Sequence, residues 1–143
     1  MSEPDKSVLV GVWKLLSHQM IVEDEPPISF YGQSPKGYLV LTPEGRMIGI
    51  LTSDTRKPGS GDTERAQLHK SMIAYSGRYR IEQDQFITTV DVSWNEAWNG
   101  TEQRRNYELK DGRLSVTAAY QSSAVFPGKA SFSRLVFVRE EQP

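Results

Sequence analysis

The sequence predicts an all-β fold, an eight-stranded up-and-down antiparallel barrel with one short helix after its third strand. Tight-turn sequences punctuate the chain at Thr42-Pro43-Glu44-Gly45, Glu82-Gln83-Asp84-Gln85 and Asp111-Gly112. Each lies between two strand-like segments and so reads as the tip of a hairpin. The segments number about eight, at which an up-and-down barrel closes around its own side chains or one small ligand. Hydrophobic residues make up only 37% of the chain. A barrel reconciles that figure with folding, because its outer face stays polar while its inner face collects apolar groups.

The elements follow in order. A first strand is expected over residues 11–21, where Lys14 belongs in water and period-2 alternation turns Trp13, Leu15, Ser17, Gln19 and Ile21 inward. On that phase His18 points outward as a surface histidine. Residues 37–41 and 46–51 flank the first tight turn. Residues 52–61 form a Pro/Gly/Ser loop, and residues 62–73 read as a helix with Asp62 as N-cap. Ala66, His69, Met72 and Ile73 share one face at helical spacing. Such a helix suits either a flap across a barrel mouth or a brace against the outer wall.

Four hairpin strands and a closing strand complete the barrel. Over residues 76–82, Ser76, Arg78, Arg80 and Glu82 take the wet face, leaving Gly77, Tyr79 and Ile81 inside. Over residues 86–94 the apolar parity is Phe86, Val90, Val92 and Trp94. In Glu102–Lys110 one parity is Glu102, Arg104, Asn106, Glu108 and Lys110, which must be outside, so Gln103, Arg105, Tyr107 and Leu109 turn inward. Leu114, Val116, Ala118 and Tyr120 do the same in Arg113–Tyr120, and Ser131–Arg139 closes the barrel.

Composition excludes several function classes. The 143 residues suit one domain, with its core over about residues 8–139, and a domain of this size buries ~70% of its unfolded surface without a metal or disulfide staple. The 17 basic and 18 acidic residues are interspersed, which leaves no footprint for nucleic acid or an anionic membrane. With no cysteine and two histidines, neither thiolate chemistry nor a protein-only zinc site is expected. No phosphate loop, dinucleotide fingerprint or nucleophile elbow occurs, so no cofactor is implied. Residues 1–6 lack a basic and apolar leader, so a cytoplasmic protein is expected. A homodimer is left open.

The predicted interior is aromatic and aliphatic with a few polar groups: Ser17, Gln19, Tyr79, Gln103, Arg105, Tyr107 and Tyr120. An unpaired arginine in a solid core costs several kcal/mol. A ligand-filled cavity accepts one, and a few convergent polar groups in an apolar wall describe a small-molecule site. The alternatives for Arg105 are a structural acid as partner or a strand-end position from which its head reaches water.

Gly11-Val12-Trp13 opens the first strand, and the pattern continues through Pro35-Lys36-Gly37-Tyr38-Leu39-Val40-Leu41-Thr42-Pro43-Glu44-Gly45-Arg46-Met47. It includes Ala74-Tyr75-Ser76-Gly77-Arg78-Tyr79 and Trp98-Asn99-Gly100-Thr101-Glu102-Gln103-Arg104-Arg105. Over nearly the whole chain this resembles the lipocalin-like domain family, calycin-type barrels with intracellular microbial members. The resemblance implies a barrel with a helix near one mouth and a hydrophobic small-molecule ligand. It also implies that Trp13 plugs the closed end under a last-strand arginine, either Arg139 or Arg134. Related barrels include carriers and cofactor-free cyclases or isomerases.

Three functions therefore stand open. A binding module would take a small hydrophobic or aromatic ligand against Arg105, Tyr79, Tyr75, Gln103, Tyr107, Trp94, Tyr120, Ser17 and Gln19, with a carboxylate facing Arg105. A cofactor-independent isomerase, cyclase or lyase would use Arg105 to stabilise charge, Tyr79 or Tyr75 as acid or hydrogen-bond donor, and His69 as base if the helix covers the mouth. A scaffold would expose Trp98 as an interaction anchor.

Overall fold

Strands β1 (Gly11–Val22), β2 (Lys36–Leu41), β3 (Arg46–Thr52), β4 (Met72–Glu82), β5 (Gln85–Ser93), β6 (Glu102–Lys110), β7 (Arg113–Tyr120) and β8 (Ser131–Arg139) pair in sequence order and close into an antiparallel barrel. The computed structural model describes residues 8–120 and 130–140, without the side chains of residues 119 and 120. The seam is β1 against β8, running from Trp13↔Arg139 to Val22↔Ser131. One α-helix, α1 (Asp62–Lys70), lies between β3 and β4.

One end of the barrel carries the tight turns. Asp111 and Gly112 both take positive φ, 54° and 76°, which is the geometry that matches the twist of flanking strands in a two-residue hairpin. Trp13 plugs this end at 1% exposure, its indole Nε1 donating to the Leu9 carbonyl at 2.9 Å. The Arg139 guanidinium lies 4.3 Å from the Trp13 ring centroid and donates to the Val10 and Val8 carbonyls at 2.8 and 2.7 Å. Arg134 instead lies over Phe132. Gly11 explains the first letter of the Gly-x-Trp motif. Its φ is +139°, and a Cβ there would meet Arg139 Nη1 at 2.6 Å.

Two β-bulges move residues off the faces that strict alternation predicts. The β1–β8 register shifts between Leu15 and Ser17, so Leu16 is an extra residue and the phase beyond it inverts. His18, Met20 and Val22 then oppose the inner residues Leu135, Ser133 and Ser131, while Ser17, Gln19 and Ile21 oppose Val136, Arg134 and Phe132. His18 is consequently buried at 4% exposure rather than set on the surface. On β5 the shift opposite Ser76 and Gly77 makes Asp91 the extra residue, and Val92, expected inside, is 64% exposed. Asp91 there pairs with Arg46 at 2.8 Å.

Gly77 sits at that bulge, where a Cβ would strike the Thr89 carbonyl. The obstacle is backbone and cannot rotate away. Gly77→Ala is expected to lower stability by about 1–3 kcal/mol, read as a lower urea midpoint at unchanged slope.

The helix differs from its expected form. It ends at Lys70, and Met72 and Ile73 begin β4 instead. Gly61, not Asp62, occupies the N-cap. Asp62 and Glu64 lie in the first turn, where negative charge suits the helix dipole, and Glu64 accepts from the Ser60 N–H at 3.0 Å. No residue of α1 is buried.

Candidate ligand-binding cavity

A cavity of about 290 Å³ occupies the barrel on the side away from Trp13. Leu15, Leu39, Met47, Leu51, Phe86, Val116 and Phe137 give it an apolar wall from six strands, and Tyr31, Trp94, Asn95 and Trp98 reach it from connections. Room is left where Gly49 carries no side chain, facing Met47 Cε and Tyr75 Cε1.

Local structure fixes the aromatic rim. Asn95 accepts from the Ala97 N–H at 3.1 Å and caps a single 3-10 turn, Glu96–Trp98. The Thr101 hydroxyl donates to the Trp98 carbonyl at 2.7 Å. Trp98 is thereby held edge-on to Tyr75 and Trp94, with ring centroids 5.1 and 4.9 Å apart, within the spacing that aromatic pairs favour. Trp98 is half-buried in this cluster and lines the cavity, rather than standing out as an exposed anchor. His69 is exposed and lies outside the cavity, its Nε2 2.9 Å from the Trp94 carbonyl oxygen. It therefore steadies Trp94 from behind.

Arg105, Tyr75 and Trp94 line the cavity. Arg105 lies 5.9 Å from the Trp98 ring centroid, donating to the Arg104 carbonyl at 3.0 Å and the Gln103 Oε1 at 3.2 Å. Gln103 is half-buried and does not line the cavity itself; its amide also donates to the Thr101 hydroxyl. It orients the arginine.

The other candidates lie elsewhere. The Tyr79 hydroxyl donates to the Thr42 carbonyl at 2.9 Å, toward the closed end, and the ring is buried. Burial and the Glu44 charge push its phenol up from the ordinary tyrosine value. Tyr107 packs against the core, its hydroxyl 3.4 Å from the Gln83 carbonyl, with burial and then Asp84 pushing its phenol up. Ser17 and Gln19 are on the outer face, and the Tyr120 side chain lies outside the described residues. Arg105, Tyr79 and His69 are therefore not brought together, and no residue of α1 lines the cavity.

Sequence reasoning missed Tyr31, Asn95 and Ser133. Tyr31 lies in the β1–β2 connection, where no periodicity marks it, yet it lines the cavity and meets the buried His18 ring edge-on at 4.7 Å. Burial lowers the His18 pKa to about 4. Among the described residues no group of three His, Cys, Asp or Glu is placed to hold a metal ion, and no helix is long and apolar enough to cross a membrane.

Residues 10–139 match the model of a family described as lipocalin-like domain. A solved structure, that of an uncharacterized protein from Bacteroides eggerthii DSM 20697, is 16% identical, with 92% of this chain and 98% of that chain covered at a TM-score of 0.46. No curated protein matches the chain.

Proposed function

This chain belongs to the lipocalin-like domain family, and we propose that its barrel binds one small hydrophobic or aromatic molecule in the cavity beside Trp94 and Trp98. The carrying observation is the cavity of about 290 Å³ with an apolar wall and an aromatic rim. A solid barrel would place side-chain atoms in that volume, since interiors pack at crystal-like density. Pockets for small ligands are mostly apolar and lie in the mouths of barrels, with a few polar groups for orientation. Asn95, Ser133, Arg105 and the tyrosines Tyr31, Tyr38 and Tyr75 bring polar groups to this wall.

The test is a titration with N-phenyl-1-naphthylamine, an uncharged aromatic probe that fluoresces when taken out of water. Saturable enhancement is expected, with quenching of tryptophan emission, because Trp94 and Trp98 line the cavity while Trp13 is sealed at the other end. Trp98→Ala is expected to weaken binding about tenfold, from one lost ring contact of ~1.5 kcal/mol. Val92→Ala, on the outer face, serves as the control and is expected to bind normally. Non-saturable enhancement, or equal affinity in the Trp98 variant, would contradict the assignment.

A further inference from the structure

We infer that the molecule this cavity receives carries an oxyanion, a carboxylate or its equivalent on a flat apolar skeleton, with Arg105 as its counter-ion. The inference rests on the cavity being the binding site and goes further by naming the ligand's chemical class.

Three arginines on the outer face around β5 hold carboxylates. Arg46 pairs with Asp91 at 2.8 Å, Arg80 with Glu82 and Glu102 at 2.9 Å each, and Arg104 with Glu102 and Glu82 at 3.5 and 3.8 Å. Arg105 differs. Among the described residues its guanidinium meets only neutral acceptors, the Arg104 carbonyl and Gln103 Oε1. Yet among the described residues it is the charged group on a wall without aspartate or glutamate. The β7–β8 connection cannot supply one either, since residues 121–129 read Gln-Ser-Ser-Ala-Val-Phe-Pro-Gly-Lys.

A half-buried cation without a counter-charge is costly where it stands. An arriving anion offsets that cost and gains charge-assisted hydrogen bonds, which are about twice as strong as neutral ones. The geometry is prepared for it. Gln103 and the Arg104 carbonyl take part of the guanidinium's donor set and fix its plane, leaving further N–H groups uncommitted. Trp98 lies 5.9 Å from the Arg105 guanidinium and 4.9 Å from Trp94. An acid group at Arg105 would therefore place an attached ring against the tryptophans.

The experiment compares 2-naphthoate with 2-naphthamide, which share a skeleton and differ in charge, by displacement of bound N-phenyl-1-naphthylamine. Wild-type protein is expected to prefer the naphthoate at least tenfold, a preference that falls as salt is raised while naphthamide affinity stays level. Arg105→Met is expected to abolish the preference by weakening naphthoate alone, with Arg105→Lys intermediate because an ammonium keeps charge without the planar fork. Near-ultraviolet circular dichroism checks that both variants keep the native rim. Equal wild-type affinities with no salt dependence would overturn the inference and leave the cavity standing. Parallel losses of both ligands in Arg105→Met would also overturn it, reducing Arg105 to a wall residue. If the uncharged reporter binds nowhere in wild-type protein, the cavity itself falls, and this inference with it.

Discussion

Trp13→Ala is expected to destabilise the barrel by about 3–5 kcal/mol, the range for deleting a large buried aromatic. Trp13 is 1% exposed and packs in the same core as Leu9, Leu15, Leu41 and Met47, so its removal leaves a void between strands that hydrogen bonding holds apart. Two further losses add to the void. The Leu9 carbonyl loses its indole donor, and the Arg139 guanidinium loses the ring 4.3 Å beneath it. Arg139→Met is expected to cost less, about 1–2 kcal/mol for a cation over a tryptophan face at a partly open site, with the Val8 and Val10 carbonyls returned to water. If both effects run through one stack, the double variant falls short of the sum of the singles. Urea unfolding of the four proteins measures this. A Trp13→Ala loss below 1 kcal/mol, or full additivity, would contradict the account. The probe affinity of the still-folded variants is expected to be unchanged, because Trp13 does not line the cavity.

Which parts of this architecture could be read from sequence follows from what marks a residue's position. In β6, charged or polar side chains at every second residue leave only one face for Gln103, Arg105 and Tyr107, and all three are half-buried. Parity says which face a residue takes but not how deep along the axis it lies. Tyr79 and Arg105 share the inward parity, yet the Tyr79 N–H bonds the Gly45 carbonyl at the closed end while Arg105 reaches the cavity. The bulges were illegible for a different reason. Leu16 and Asp91 are ordinary strand-surface residues, and nothing in their chemistry announces an insertion. One unpaired residue then inverted every assignment beyond it, from Ser17 to Ile21. Met72 and Ile73 satisfy a helical face and a strand start equally, and pairing with Thr52 and Leu51 decided for the strand. Tyr31 belongs to no periodic element, so only the fold could bring it to the cavity.

The β1 bulge has a consequence in solution: acidification from pH 7 to pH 5 is expected to cost about 2 kcal/mol of stability through His18 alone. Burial lowers its pKa from 6.5 to about 4 in the folded barrel, whereas the unfolded chain keeps the ordinary value. Between those two values the unfolded state binds the proton and the folded state does not, so each added proton favours unfolding. The stabilisation is full above pH 6.5 and declines as pH falls through that window, and the loss reaches its limit of about 3 kcal/mol below pH 4. The ring cannot answer protonation locally, since its Nδ1 is buried without a hydrogen-bond partner among the described residues and Tyr31 stands edge-on against it. Ordinary carboxylates titrate mostly below this window, so urea midpoints between pH 7 and 5 isolate the effect. His18→Phe keeps a flat ring against Tyr31 but removes the proton, and its stability is expected to stay level over that range. His69→Gln, altered at the exposed histidine, is expected to fall with the wild type. A His18→Phe protein that loses stability as steeply as its parent would show that some other group takes up the proton on unfolding. It would equally show that the inverted phase of β1 does not bury His18 in solution.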